Sequence, residues 1–232
     1  MQLSKIRLNE NKEQIIINRI LSDESIDFTK ENSLPLETLM AYYRCVIMEI
    51  ETKFRVLNEQ LSLQYDRNPI ESIKTRLKSW ESILRKVRNK NIPLNLESLE
   101  KNINDIAGIR VICSFQEDIY QLLESFLRQD DVKLIKKKDY IKNPKPNGYK
   151  SLHLIVEVPI FLQNETKLMK AEVQLRTIAM DFWASLEHKL RYKKNIPEDE
   201  AEIIAEELLE CSEISSALDK RMQAIKNRII NN

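Results

Sequence analysis

The chain has 232 residues, of which 42% are hydrophobic and 31% charged, and its formal net charge is +1. This composition excludes a disordered chain, and the near-neutral charge gives no polybasic signature of a nucleic-acid-binding protein. No apolar run approaches the roughly 20 residues of a membrane span, and three scattered cysteines match neither a disulfide framework nor a zinc ribbon, which favours a reduced cytoplasmic protein.

Helical periodicity dominates the first part of the chain. A short helix is predicted over 3–21 and a long one over 36–65, where apolar residues recur every three or four positions. Asn68-Pro69 breaks this pattern. A second helix is predicted over 69–90 and a short one over 95–104.

The middle of the chain changes to a period of two, which is typical of strands. Strands are predicted over 108–115, 132–140, 151–161 and 167–176. The last two form a hairpin, and a helix over 117–129 follows the first strand. Two helices, over 177–192 and 198–230, end the chain. The predicted fold class is α+β, with a small, mixed, mostly antiparallel sheet flanked by N- and C-terminal helices.

Glycine is scarce in this chain. Only Gly108 and Gly148 occur, where average usage near 7% would give about sixteen. A P-loop needs two glycines at short spacing and a Rossmann turn needs three, so neither can exist here. If the protein binds phosphates, it must therefore do so mainly with Lys and Arg side chains, and both glycines are expected where only glycine fits.

One face of the predicted sheet is polar. Period-two geometry places these residues on that face: Arg110, His153, Glu172, Gln174 and Arg176. Asp105 comes just before the first of these strands. Magnesium needs only one or two protein carboxylates besides substrate phosphates, which Asp105 and Glu172 could supply. The alternative is an ordinary solvated face of an antiparallel sheet.

Basic residues form a second group. Lys78, Ser82 and Lys86 are spaced to share one face of the helix predicted over 69–90, with Arg76 beside them. Taken alone, a solvated helix face explains this cluster better. Beside a carboxylate site, and without a P-loop, the cluster becomes a candidate grip for a triphosphate.

A third group lies in the loop 142–150. Gly148 allows the backbone to turn sharply and to present the ring of Tyr149 as a stacking platform for a base. The alternative is that Tyr149 caps the core where a strand begins.

Five segments occur in order and with compatible spacing. They are Asp105–Arg110, Lys138–Ile141, Asn147–His153, Ala171–Thr177 and Asp181–His188. Together they resemble the synthetase domain of RelA/SpoT-type alarmone enzymes, over residues 70–190. The resemblance implies a nucleotidyltransferase-like synthetase fold. It also implies Mg²⁺-dependent transfer of the β,γ-pyrophosphate of ATP to the 3′-hydroxyl of GDP or GTP, which yields the (p)ppGpp of the stringent response.

The resemblance also implies roles for single residues. Asp105 would be a magnesium ligand, and Glu172 would either ligate the metal or accept the proton of the 3′-hydroxyl. Arg76 and Arg110 would sandwich adenine. The positions near the ATP phosphates are Lys78, Ser82 and Lys86. The acceptor nucleotide would be held by Lys138, Lys145, Tyr149, His153, Gln174 and Asp181. Tyr149 would stack on guanine, and Asp181 would accept its N–H groups.

This interpretation divides the chain into N-terminal helices over 1–69, a catalytic core over 70–192 and a C-terminal helix over 193–232. The C-terminal helix would expose apolar residues on a lone domain, and small members of the family form tetramers. A homo-oligomer, a tetramer, is therefore expected, and packing within one chain is the alternative. No membrane and no stable nucleic-acid partner is expected.

Departures from the larger family members narrow the prediction. The only histidines are His153 and His188, and no His-Asp dipeptide occurs, so hydrolysis of the alarmone is not expected. The chain resembles a stand-alone small synthetase of the RelP/RelQ group, and we favour the RelP-type branch. The alternatives are a nucleotidyltransferase that transfers AMP, and an inactive regulatory or RNA-binding module, against which the presence of both Asp105 and Glu172 argues.

Overall fold

The computed structural model describes residues 33–65, 67–93, 95–191 and 198–230. The helices are α1 (Ser33–Tyr65), α2 (Trp80–Asn89), α3 (Leu96–Asn102), α4 (Gln116–Leu127), α5 (Ile178–Arg191) and α6 (Glu198–Ile230). The strands are β1 (Ile70–Leu77), β2 (Ala107–Cys113), β3 (Lys133–Asp139), β4 (Leu152–Phe161) and β5 (Thr166–Thr177). The helix predicted over 3–21 lies outside the described residues.

The five strands form one sheet in the order β1-β2-β5-β4-β3. Strands β2 and β5 are parallel, and every other pair in this sheet is antiparallel. The hairpin of β4 and β5 lies inside the sheet, and β1 and β3 are its edges. The predicted α+β fold class with a small, mostly antiparallel sheet is confirmed.

Helix α1 covers one face of the sheet. Its buried residues recur at helical spacing and include Tyr43, Ile50 and Phe54. They pack against β2, β4 and β5, and Phe54 stacks on Phe126 of α4 with ring centroids 4.5 Å apart. Burial of each such side chain stabilises the fold by about 1.5–3 kcal/mol. The apolar face of the sheet is therefore filled, and only the opposite face is free to carry polar chemistry.

The helix predicted over 69–90 is wrong in its first half. Ile70–Leu77 is strand β1, and helix α2 begins only at Trp80, after the N-cap Ser79, whose Oγ accepts a hydrogen bond from the backbone N–H of Ser82 at 3.4 Å. Apolar positions in this segment fit a helical period and a strand period about equally well. Pairing with β2 decides the matter, because that edge of the sheet would otherwise be unpaired.

The other predicted elements are confirmed to within a few residues at each end. C-terminal helix α6 packs on α5 and α4. Among the described helices, none has the length and apolar composition needed to cross a membrane.

Candidate functional site

A row of polar residues crosses all five strands on the face opposite α1. Strand pairing aligns one residue from each strand, in the order Lys74, Arg110, Gln174, His153 and Lys138. Residues paired in this way point to the same face of a sheet. The polar faces predicted for separate strands therefore coincide.

The neighbouring row contains Arg76, Gly108 and Glu172. Gly108 has no side chain, so the floor of the site is low between Arg76 and Glu172. A cavity of about 260 Å³ opens over these two rows. A second cavity, of about 550 Å³, is lined by Lys78, Ser82 and Lys86 among others, and Arg76 lines both cavities. The two cavities therefore adjoin at Arg76.

Asp105 lies between two lysines. Its Oδ2 accepts a hydrogen bond from Lys78 Nζ and its Oδ1 one from Lys86 Nζ, both at 2.7 Å. Burial alone would raise the pKa of Asp105, but the two ammonium groups outweigh burial and lower that pKa below its usual value. Asp105 is thus an ionised carboxylate that is fixed just before β2.

Glu172 is also held on both of its oxygens. Oε1 accepts from His153 Nδ1 at 3.1 Å, and Oε2 accepts from Gln174 Nε2 at 3.2 Å. Burial raises the pKa of Glu172, but the contacts with His153 and Gln174 outweigh it and lower the pKa, while the charge of Asp105 acts to raise it. Both carboxylates are thus held by hydrogen bonds on each of their oxygens.

Asp105 and Glu172 are the carboxylates of this site that could hold a divalent cation. Among the residues that the structure describes, no group of three or more His, Cys, Asp or Glu is placed to hold a metal ion. Magnesium does not require such a group, because it keeps several waters and takes further oxygens from substrate phosphates. Two ionised carboxylates, Asp105 and Glu172, provide suitable oxygen ligands.

A chain of hydrogen bonds leads from Arg176 to Glu172. Arg176 Nη2 donates to Tyr149 Oη at 2.6 Å, and Tyr149 Oη lies 2.7 Å from His153 Nε2. Because Oη accepts from the arginine, its own proton is directed to Nε2, which leaves Nδ1–H to donate to Glu172. The chain fixes the tautomer and the ring orientation of His153.

Asp181, in the first turn of α5, is the most highly bonded carboxylate of the site. It is 6% exposed and receives Lys74 at 2.9 Å, Arg110 at 3.1 Å and Arg176 at 3.1 Å. Burial raises the pKa of Asp181, but these three cations outweigh burial and lower it. Asp181 is predicted to bind the acceptor and Arg110 to bind ATP, so their contact joins the two parts of the site.

Lysines surround the aromatic rings at the edge of the site. Lys145 Nζ lies 4.7 Å from the ring centroid of Tyr149 and 4.9 Å from that of Tyr140, and Lys138 Nζ lies 5.9 Å from the latter. The ring of Tyr140 meets His153 edge-on at 5.3 Å. These positive groups beside π faces can receive both a base and its phosphates.

Sequence reasoning missed Lys74 and gave Arg176 no role. Lys74 was missed because its segment is predicted as a helix, although Ser72, Lys74 and Arg76 alternate with less polar residues as in a strand. The predicted single helix face for Lys78, Ser82 and Lys86 is likewise wrong, since Lys78 precedes α2. The grouping itself is right, because all three line one cavity.

Comparison with known proteins places this site in a family. The family model described as the region found in RelA and SpoT proteins matches residues 75–197. The GTP pyrophosphokinase YwaC of Bacillus subtilis (strain 168) is 45% identical over 187 residues, which cover 81% of this chain and 88% of YwaC.

Two solved structures share the fold. The crystal structure of small alarmone synthetase 2 from Bacillus subtilis aligns with a TM-score of 0.74 at 42% identity, covering 83% of this chain and 98% of that chain. That of small alarmone synthetase 1 from Bacillus subtilis, bound to its product pppGpp, aligns with a TM-score of 0.74 at 34% identity, covering 84% of this chain and 98% of that chain.

Proposed function

This chain belongs to the family of RelA and SpoT proteins, and we propose how its residues perform the GTP pyrophosphokinase reaction that makes (p)ppGpp. The family and the activity predicted from the sequence are thereby confirmed. The observation that carries the proposed mechanism is the pair of ionised carboxylates, Asp105 and Glu172, beside two adjoining cavities. One cavity is lined with lysines, and the other opens over the polar rows of the sheet.

ATP occupies the larger cavity in this proposal. Lys78, Lys86 and Ser82 line it and bind the phosphates. Adenine reaches the adjoining end of the smaller cavity, between Arg76, which lines both cavities, and Arg110, which lines the smaller one. The Nζ atoms of Lys78 and Lys86 bind Asp105 in the structure, so the phosphates meet ammonium groups that are already in place. Arg110 is held by Asp181 and is likewise positioned before ATP arrives.

Magnesium is the proposed cofactor, held by Asp105 and Glu172. When bound, it neutralises negative charge on the ATP phosphates. The lowered pKa values of both carboxylates keep them ionised at neutral pH, as metal ligands must be. A carboxylate with a lowered pKa is also a weaker base. For Glu172 this favours the role of metal ligand over that of general base.

GDP or GTP occupies the end of the smaller cavity lined by Glu172 and Gln174, and the aromatic edge beside it. Tyr149 stacks on guanine, and Asp181 accepts the N–H groups of the base. His153 and Gln174 lie in the centre of the polar row, where they can bind the ribose. Lys138 and Lys145, both exposed beside Tyr140, are placed to bind the 5′-phosphates.

The reaction is an in-line transfer of pyrophosphate. The 3′-oxygen of the acceptor forms a bond to the β-phosphorus of ATP, the bond from that phosphorus to the α,β-bridging oxygen breaks, and AMP leaves with the electron pair. The hydroxyl proton is released to water, because the lowered pKa of Glu172 makes this carboxylate a weak base. Such transfers ask the protein mainly for positioning and charge neutralisation, which the lysines and arginines of the two cavities supply.

Oligomerisation through the terminal helices is part of the proposal. Apolar residues remain exposed on the outer side of α6, among them Leu218 at 58% and Ile229 at 70% exposure, and on α5, where Phe182 is 65% exposed. A face of this kind is typical of a protein–protein contact. We propose a homotetramer that works in the cytoplasm, with 70–192 as its catalytic core. Light scattering would measure the mass directly, and a monomer would contradict this part.

The product assay tests the proposed reaction. Purified protein is incubated with Mg²⁺, GDP or GTP, and ATP labelled in its γ-phosphate, and the nucleotides are separated by ion exchange. The expected products are AMP and a guanosine nucleotide that carries the label. Labelled free pyrophosphate with an adenylylated acceptor would instead indicate a nucleotidyltransferase, and an inactive protein would favour the regulatory module. Chelation of the metal should abolish product formation.

A further inference from the structure

We propose that helix α6 positions the acceptor subsite through Ser212 and Asp219, although α6 adds no side chain to either cavity. This inference rests on the proposed roles of Tyr149 and Asp181. None of the described residues that line the two cavities belongs to α6. The helix nevertheless contacts both segments of the chain that present these two residues to guanine.

The first contact fixes the loop that carries Tyr149. Ser212 is 4% exposed, and its Oγ donates to the backbone carbonyl of Gly148 at 2.6 Å. Gly148 has φ +84°, and a Cβ added there would lie 2.7 Å from Ser212 Cβ. Helix and loop thus touch with no side chain between them, which only glycine permits. Lys150, on the other side of Tyr149, lies 3.5 Å from the same Oγ.

The second contact fixes the start of α5, which carries Asp181. Asp219 Oδ2 accepts from Thr177 Oγ1 at 2.8 Å, and this Oγ1 accepts from the backbone N–H of Met180 at 3.2 Å. Thr177 is fully buried. Asp219 therefore orients the hydroxyl that caps the first turn of α5.

The remaining contacts make this a rigid interface rather than a ligand site. Trp183 Nε1 donates to the carbonyl of Leu208 at 2.8 Å, and Ser215 Oγ donates to that of Ala179 at 3.2 Å. The cavity left between α5, α6 and the Gly148 loop holds about 10 Å³, which is room for one water. The geometry fits a structural support whose inner face is polar and whose outer face is the exposed apolar side of α6.

Loss of the Ser212 hydroxyl should act on one substrate only. Ser212→Ala leaves the buried carbonyl of Gly148 without its donor, and we expect the KM for GDP or GTP to rise about fivefold. The KM for ATP and the kcat at saturation should stay within about twofold of the wild-type values, because Lys78 and Lys86 are hydrogen-bonded to Asp105 rather than to α6. Steady-state kinetics with each substrate varied in turn measures this split.

A control variant and a double-mutant cycle distinguish positioning of the acceptor subsite from general destabilisation of the protein. Gln223→Ala lies on the same face of α6, but its partner is Glu117, so both KM values should be unchanged. In the Tyr149→Ala background, Ser212→Ala should cause no further rise, because the hydroxyl acts through the loop of Tyr149. Equal changes in both KM values, or independent effects in the double variant, would overturn the inference.

Asp219 provides a second test in case Ser212→Ala is unstable. Asp219→Ala should raise the guanine-nucleotide KM, and Asp219→Asn, which keeps an oxygen for Thr177, should restore it. No rise in Asp219→Ala overturns the inference. If Tyr149→Ala raises the guanine-nucleotide KM but the α6 variants do not, only the role of α6 is wrong. If Tyr149→Ala itself has no effect, the proposed acceptor subsite is wrong and the inference falls with it.

Discussion

The two halves of the site are built differently. The donor half consists of β1, α2 and Asp105, and its cations Lys78 and Lys86 line a large open cavity. The acceptor half consists of β4, β5, the loop 142–150 and α5, and it is centred on Arg176 and Asp181, which are 4% and 6% exposed. A phosphate chain can be bound by ammonium groups on long side chains along an open cavity, whereas a base must be recognised by donors and acceptors at fixed positions.

The difference also concerns what each half costs in folding. Arg176 and Asp181 are buried charges, and burial is tolerable because they pair with each other and with Tyr149, Gln174 and Arg110. Lys78 and Lys86 are partly exposed and share a single carboxylate. The acceptor half is therefore more sensitive to substitution in stability, and the donor half chiefly in ATP binding.

The largest effect is expected where the halves meet. Asp105→Asn or Glu172→Gln should lower the rate of (p)ppGpp synthesis about a thousandfold in a protein that still folds, because each removes charge from the proposed metal site. Quantified nucleotide products measure the rate, and a melting curve shows whether the variant folds. Glu157→Gln is the matched control, since Glu157 lies on the same sheet face but pairs with Lys133 at the edge. Normal turnover in Asp105→Asn would remove the carboxylate site.

Tyr149→Ala should affect the KM of the acceptor nucleotide and not that of ATP. Loss of a stacking ring costs about 1–3 kcal/mol, so the KM for GDP or GTP should rise about 5- to 150-fold while the KM for ATP changes little. Tyr149→Phe keeps the ring but removes the Oη that bonds Arg176 and His153, so the guanine-nucleotide KM should rise less than in Tyr149→Ala. Initial rates with either nucleotide varied give both constants. An unchanged KM in Tyr149→Ala would reject stacking.

Lys86→Ala probes the donor half with the opposite pattern. A charge-assisted hydrogen bond to phosphate is lost, so the KM for ATP should rise about tenfold and that for GDP or GTP should not. Lys101→Ala, at the C-terminal turn of α3, is the control for a change in net charge. A rise in the guanine-nucleotide KM alone would show that Lys86 belongs to the acceptor half and not to the donor half.

The pH dependence of the free energy of unfolding should also show that Asp181 stabilises the acceptor half. The pKa of Asp181 is lowered in the folded protein, so its contribution is present above the ordinary aspartate pKa of about 3.9 and is lost as the pH falls through the folded value. Asp181→Asn should therefore unfold more readily at pH 7, by on the order of 1 kcal/mol, with a smaller difference from wild type at pH 3. Denaturant titrations at both pH values measure it. An equal difference at both would contradict the assignment.

The smallest effect is expected at Asp219, with the opposite sign. Burial raises the pKa of Asp219, and this outweighs the lowering by Thr177 and Lys150. A raised carboxylate pKa favours folding while the group is protonated and opposes it as the pH rises through the ordinary value. Asp219→Asn should thus lose less stability than wild type between pH 4 and pH 7, in the same titrations. A larger loss would show that the charge is stabilising.

How far the sequence could predict the structure also differs between the halves. The strands of the acceptor half alternate without interruption and end at clear turns, so their faces and most of their site residues could be predicted. In the donor half, Ile70, Ile73 and Leu77 fit two periods, and only pairing with β2 selects the strand. Because a helix is predicted there, Lys74 is not assigned to the polar face of the sheet. The roles of single residues come from the resemblance to a family rather than from the sequence pattern.

Burial of charged residues was beyond sequence reasoning for a different reason. Strand alternation places Arg176 on the polar face, but its near-complete burial depends on Tyr149 and Asp181 closing around it. Those contacts in turn require α5 and α6 to be packed.

The expectation that both glycines lie where only glycine fits is confirmed for Gly148, which has φ +84° and touches Ser212. It is wrong for Gly108, where an added Cβ would meet only the carbonyl oxygen of Arg76 at 3.5 Å, an ordinary contact.

The polar row from Lys74 to Lys138 takes one residue from every strand, and this makes activity a report on the correctness of folding. A slip of one position in β2, β4 or β5 would turn its polar member into the apolar layer under α1 and bring an apolar residue to the substrates. A sheet with one strand out of register would therefore be both unstable and catalytically inactive. Misfolded copies of such an enzyme would therefore make no (p)ppGpp in the cell.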